Sequence, residues 1–213
     1  MSFLLLGILT LLLVIGTPVA FALSATAIVM LLVTGDTLSV VPQVIFDTLS
    51  IYELAAVPLF VLMSQVLVAG KIGDHLFEVM NRWVGHLPGG LGIATVLSCG
   101  FFAAVAGSST TTAATVGTSA IPAMKNHGYP KRFAYGLVAG GGTLGILIPP
   151  SIPFVLYSAI AGTSVGDLYL AGVIPGLVMM SIFIVYVVSY AKLTGNLPNA
   201  APFSLREALS FSL

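Results

Sequence analysis

Six consecutive small or hydroxyl-bearing residues, Gly107-Ser108-Ser109-Thr110-Thr111-Thr112, sit in a stretch from Trp83 to Met124 that carries no Lys, Arg, Asp or Glu. A second group of helix-weakening residues follows: Gly140-Gly141-Gly142-Thr143-Leu144-Gly145, then Pro149-Pro150-Ser151-Ile152-Pro153. Consecutive prolines remove backbone donors and clash with the preceding turn, so they exclude a continuous helix. Unwound backbone offers free carbonyls, and the first run adds hydroxyls. Hard monovalent cations take several such oxygens without any carboxylate, and broken helices in secondary transporters supply them from half-helix C-termini and unwound backbone. A helix over residues 91–106 would aim its negative end at the first run, and one starting near Phe133 would do the same at the second. Proton coupling asks for a titratable group at membrane depth. The first run has none, which favours Na+ over H+. The spacing thus predicts two unwound places, residues 107–112 and 140–151, meeting around Na+ near the bilayer midplane. The competing reading is packing, because small residues let membrane helices approach and Ser or Thr can bond back to their own helix. For the three glycines at 140–142, packing and unwinding stand level.

Other chemistries find little support. No Gly-Lys-Ser or Gly-Lys-Thr occurs, so a nucleotide-binding loop of the Walker type is absent. His75, His86 and His127 lack ligand spacing for a transition metal. No Ser/His/Asp arrangement is credible at these depths, so the chain is read as no enzyme and without a cofactor. Cys99 is the only cysteine. It cannot form a disulfide within the chain and reads as a packing residue.

The elements that would hold these oxygens are membrane helices. Of 213 residues 58% are hydrophobic and 7% charged, against roughly 25% charged in soluble domains. Such a chain could not cover itself with charge in water, so it is expected to be an all-α integral membrane protein in the lipid bilayer. Seven basic and seven acidic residues cancel, which gives no pull toward nucleic acid. No Lys or Arg precedes Lys71, so the apolar start is read as permanent membrane helix rather than a secretory signal. Residues 3–33, broken by Gly16-Thr17-Pro18, make either one tilted helix or two short crossings. Residues 35–53, with Asp36, Pro42, Asp47 and Glu53, read as an outer loop with a short helix. Residues 54–69 make the next crossing, ended by Gly70-Lys71.

In residues 71–86, Ile72, Leu76, Phe77, Met80 and Trp83 recur at mostly helical spacing, with Asp74, Glu78 and Arg82 between them. That pattern predicts an amphipathic helix lying in the membrane interface with Trp83 as an anchor, the alternative being an ordinary connector helix. Residues 91–106 and 113–121 are apolar, flanked by Lys71 and Arg82 before and by Lys125, Lys131 and Arg132 after. By the positive-inside rule both ends face the cytoplasm. A full crossing needs ~20 residues, and the returning arm, residues 113–122, is about half that. This predicts a re-entrant hairpin, the alternative being two full spans with an outer turn. A broken helix follows over residues 132–165, then a crossing over residues 168–191. The tail, residues 194–213, with Pro198, Pro202, Arg206 and Glu207, reads as an interfacial linker. In this topology every Lys and Arg is cytoplasmic, and the outer loops hold Asp36, Asp47, Glu53 and Asp167.

Several blocks carry a family resemblance. Gly89-Gly90-Leu91 and Phe102-Ala103-Ala104-Val105-Ala106-Gly107-Ser108-Ser109 are followed by Ile121-Pro122-Ala123-Met124-Lys125, Gly128-Tyr129 and Leu144-Gly145-Ile146-Leu147-Ile148-Pro149-Pro150-Ser151. With Ala55-Ala56-Val57-Pro58-Leu59-Phe60 and Ala171-Gly172-Val173-Ile174-Pro175-Gly176, they resemble the large membrane subunit of tripartite ATP-independent periplasmic (TRAP) transporters, the DctM-like permease. The resemblance implies a multi-pass protein of the bacterial inner membrane that imports organic acids, dicarboxylate or sialic-acid-like, with Na+. It implies an elevator mechanism on an inverted-repeat fold. A periplasmic binding protein would deliver the substrate, and a small membrane subunit would brace the permease. It implies that Ser108, Ser109 and Thr112 sit at a hairpin tip, faced by backbone oxygens of Gly145, Ile148 and Pro150. Residues 1–86 would be scaffold and arm helix. Residues 87–167 would be half of the transport domain, with the hairpin at 88–122, and residues 168–213 the final span and linker. The family's large subunit is about twice this long, so the chain is expected to be its N-terminal half and to work with a C-terminal half. The alternative is a membrane assembly subunit that conducts nothing.

Overall fold

A computed structural model of the chain describes residues 2–35 and 37–194. All elements among them are helical. The expected outer acid Asp36 and the linker from residue 195 onward lie outside the described residues. The chain divides into two units, Met1–Ile51 and Tyr52–Leu213.

In the first unit, α1 (Ser2–Val14) and α2 (Val19–Thr34) are separate helices that touch each other. Residues 3–33 are therefore two short helices and not one tilted one. Gly16 takes a left-handed φ of 88°, and Pro18 has no N–H to continue a helix. The Thr17 hydroxyl donates to the Leu12 carbonyl at 2.7 Å, capping the end of α1. The short helix expected in the outer loop is α3 (Val40–Leu49).

The second unit opens with a 3-10 turn, Tyr52–Ala55, that feeds α4 (Ala56–Ala69). Gly70 and Lys71 end α4, and Lys71 enters the left-handed region at φ 55°. The chain turns there into α5 (Ile72–Val84), which packs along both α6 (Gly90–Ala106) and α7 (Ser109–Asn126). Of the periodic apolar positions in α5, Phe77 and Met80 are buried while Ile72 and Trp83 at its ends are exposed. Asp74 does not face solvent alone: its carboxylate accepts hydrogen bonds from the hydroxyls of Ser119 and of Thr118, the latter at 3.3 Å.

The centre of this unit is α6. Thirteen of its seventeen residues are buried, so its all-round apolar composition reflects mainly a core position, with Phe101 and Val105 left exposed. Four glycines let neighbours come close: Gly92 meets Val187 and Leu137, Gly100 meets Met180, Gly141 meets Cys99, and Gly140 meets Phe183. Around the core run α8 (Lys131–Gly142), α9 (Leu144–Leu147), α10 (Ile152–Ala161) and α11 (Val165–Thr194). Among the described residues, three helical stretches are long and apolar enough to cross a membrane: Tyr52–Ala69, Lys131–Ala161 and Val165–Thr194. Their large apolar side chains point outward, among them Leu59, Leu62, Ile160, Ile174 and Val185. In water such faces would be unfavourable, whereas in a bilayer the hydrocarbon solvates them.

Three expectations need correction. The first unwound place is not residues 107–112 but Gly107 and Ser108 alone, since α7 begins at Ser109. Hydroxyl residues favour the first turn of a helix, where they find unpaired backbone N–H groups, so a Ser/Thr run marks a helix start as readily as a loop. The second unwound place is not residues 140–151 but the four residues from Ile148 to Ser151; the glycines at 140–142 stay helical because close packing compensates their weak propensity. Finally, the returning arm has 18 residues and passes through Pro122. A short arm therefore does not argue for re-entry. What distinguishes α7 is its polarity, which keeps it out of the group of helices apolar enough to span.

Candidate functional site

The two interruptions meet. The backbone N–H of Ile152, at the start of α10, donates to the carbonyl of Gly107 at 3.2 Å. A Cβ placed on Gly107 would lie 2.8 Å from the Pro150 carbonyl oxygen, and one on Gly145 would lie 2.8 Å from the Ser108 carbonyl. No side chain fits at either position, so glycine is required for the approach itself. Gly107 also needs its left-handed φ of 61°, which closes α6 with a bond from its N–H to the Ala103 carbonyl at 3.0 Å.

Each break has the same local build. Ser108 and Ser151 both occupy the N-cap position with extended backbone, at φ −139° and −128°. The residue types explain this. Serine is common at helix starts, although neither hydroxyl caps its own helix here, and Pro153 near the start of α10 has a φ already suited to a first turn. Four helix ends thus converge: the C-termini of α6 and α9, and the N-termini of α7 and α10. The first two carry partial negative charge and the second two partial positive charge, so the junction can face a cation on one side and an anion on another. Sequence reasoning identified only the negative ends. The signal for the positive ends was present in Ser-Ser-Thr and Ser-Ile-Pro, both of which read as helix starts.

Ser108 Oγ lies 3.2 Å from Thr110 Oγ1 and accepts from Thr111 Oγ1 at 3.3 Å, which gathers three hydroxyls at the tip. Ser109 is the first residue of α7 and half-buried. Thr112 is fully buried, and its hydroxyl donates back to the Ser108 carbonyl at 2.8 Å. Gly145 is buried under the tip inside α9. Its carbonyl would ordinarily accept from residue 149, but Pro149 has no N–H to give. The Ile146 carbonyl loses its donor to Pro150 in the same way, and there Ser151 Oγ substitutes at 2.7 Å. Ser151, fully buried, is a residue of the junction that the sequence-derived ligand set omits. Ile148 has extended backbone, and its side chain packs toward Gly176 of α11. Pro150 lies against Gly107 as described. The structure therefore brings Ser108, Gly145 and Pro150 into one junction, with Ser109 and Thr112 one turn into α7 and Ile148 at the edge facing α11. None of these side chains titrates. Among the described residues no cluster of His, Cys, Asp or Glu could hold a transition metal.

A helical membrane bundle whose interrupted helices cross at their breaks has the build of a secondary transporter. The chain belongs to the family of the tripartite ATP-independent periplasmic transporter, DctM component, whose sequence pattern it matches over residues 6–213. It is 44% identical over 186 residues to the C4-dicarboxylate TRAP transporter large permease protein DctM of Pseudomonas aeruginosa, covering 86% of this chain and 43% of that protein. It is 36% identical over 190 residues to the isethionate TRAP transporter permease protein DctMQ of Oleidesulfovibrio alaskensis, covering 89% and 30%. With the ectoine TRAP transporter large permease protein TeaC of Halomonas elongata it shares 38% identity over 143 residues, covering 67% and 34%. The chain spans less than half the length of these relatives. All three are named as permease proteins, not enzymes, and membership places the chain in the inner membrane as a multi-pass protein.

Proposed function

We propose that this chain forms half of the ion-coupled core of a TRAP-type permease that imports organic anions with Na+. The carrying observation is the bond from Ile152 N–H to the Gly107 carbonyl, which joins the two breaks. Na+ is held by hydroxyls of Ser108, Ser109 and Thr112 and by backbone oxygens of Gly145, Ile148 and Pro150. The Gly145 carbonyl, deprived of a helical donor by Pro149, supports this choice. The positive N-termini of α7 and α10 suit a carboxylate, and the relative from Pseudomonas aeruginosa is named for C4-dicarboxylates. Residues 87–167 belong to a transport domain whose hairpin over residues 88–122 enters and leaves on one side of the membrane. It slides as an elevator against a scaffold that includes residues 1–86, with α5 as the arm seated on α6 and α7. Residues 168–213 lead toward a C-terminal half. A periplasmic binding protein delivers substrate, and a small membrane subunit steadies the scaffold.

The test is uptake in proteoliposomes holding the complete permease and its binding protein. Wild type should require Na+. Ser108→Ala should raise the Na+ concentration for half-maximal uptake by about tenfold, the worth of one polar contact, with the melting temperature nearly unchanged. Uptake indifferent to Na+ in wild type would leave the junction a packing contact only. An unaltered Na+ response in the variant would remove Ser108 from the ion site.

A further inference from the structure

Away from the junction, α8 and α11 leave a groove of ≈ 370 Å³ between them. Arg132 stands at one end, and the walls are Leu137, Ile182, Phe183 and Tyr186, with Gly136 on the α8 side. The ring of Phe133 lies 4.7 Å from that of Tyr190 and 6.2 Å from that of Tyr186, stacked on both. That stack ties the first turn of α8 to the last turns of α11, and Arg132 stands at that end of the groove. Among the described residues no carboxylate pairs with Arg132. Both helices belong to stretches able to span a membrane, so the rest of the groove opens toward hydrocarbon while its charged end sits where headgroups lie. Half-exposed Tyr186 suits that boundary.

We propose that this groove binds an anionic phospholipid, with the phosphate on Arg132 and one acyl chain laid along Gly136 and Ile182. A guanidinium takes phosphate oxygens in a fork that an ammonium cannot offer, and basic pockets between membrane helices select acidic headgroups. A protein partner would have to answer the guanidinium with a carboxylate while filling an apolar furrow. A lipid has that amphipathic shape already.

The test uses the full-length protein in detergent and counts retained lipid by native mass spectrometry after adding phosphatidylglycerol or phosphatidylethanolamine. Phosphatidylglycerol should be kept several-fold better. Arg132→Gln should lower its retention by about fivefold, an effect the size of one charge-assisted contact, while Lys125→Gln at the end of α7 should change nothing. Gly136→Phe should also expel the lipid, and it should fold, because a Cβ there meets no atom within 4 Å. Equal retention of the two lipids, or wild-type retention in Arg132→Gln, overturns the proposal. So does displacement by inorganic phosphate with no effect of Gly136→Phe, which would mark a free anion site, and so does failure of wild type to keep any lipid, as when protein covers the groove.

Discussion

Ser108 and Ser151 show how one residue type can serve two ends of a site. Each stands at the N-cap of the helix that follows a break, but the two hydroxyls are used differently. Ser151 completes the Ile146 carbonyl, whereas Ser108 gathers the hydroxyls of Thr110 and Thr111. Gly107 allows the two breaks to touch. Gly107→Ala should cost about 1–2 kcal/mol for a side chain in the left-handed region. Contact with the Pro150 carbonyl adds to that cost, so a drop in melting temperature and a loss of Na+ response are expected together. No titratable side chain belongs to the junction, so Na+ affinity should be flat between about pH 6 and 8, where His would be the group to titrate. A sigmoidal pH dependence of Na+ binding would mean that a carboxylate or imidazole takes part. The hydroxyl run was visible in the sequence as unusual. Which hydroxyls lie in the break and which in the first turn of α7 was not, because Ser and Thr favour both environments and only the neighbouring chain decides.

At the level of elements, the hairpin is held from several sides. Helix α6 is buried by α5, α7, α8, α9 and α11, and α5 is fastened to α7 by a polar seam. Gly73 fits against Thr115, and the Asp74 carboxylate accepts from Thr118 and Ser119. Hydrogen bonds to a charged group are worth about 1.5–3 kcal/mol, and half-burial places this pair toward the lower end. Asp74→Ala should destabilise the protein by that amount and speed hydrogen exchange in residues 115–119, while Asp74→Asn should retain part of the bonding. Exchange unchanged in both would show that apolar contact alone carries the seam. The amphipathic period of α5 was plain from Leu76, Phe77 and Met80, but the role of Asp74 was not, since the two hydroxyls lie 44 and 45 positions away. On the other side, Gly172 and Gly176 let α11 lie against the broken stretch. A Cβ on Gly172 would stand 2.8 Å from the Leu147 carbonyl, so the small-residue spacing in α11 serves the break directly.

For the whole molecule, the exposed apolar faces of Tyr52–Ala69, Lys131–Ala161 and Val165–Thr194 require hydrocarbon around them, and the buried hairpin requires these helices around it. More than half the length of the curated relatives lies beyond the matching region. If the substrate site draws on both portions, this chain reconstituted by itself should show no Na+-dependent uptake above empty liposomes. Supplying the remainder of a related permease in trans should restore it. Uptake by the chain alone would place a complete site within residues 1–213.

Membrane residence, helix content, the amphipathic pattern of α5 and the stop at Pro149-Pro150 all follow from local chemistry: too few charges to live in water, helical spacing of apolar side chains, and prolines without donors. Family membership was likewise readable in short blocks such as Gly128-Tyr129 and Ile148-Pro149-Pro150-Ser151. Tertiary packing decided the rest. It kept Gly140, Gly141 and Gly142 helical by pressing them against Phe183, Cys99 and Ala113. It also confined each break to a few residues and set Gly107 on Pro150. The free energy of an unwound glycine or proline segment depends on what lies across from it, and in this fold the opposing surface is another broken helix some forty positions away, which no local pattern encodes.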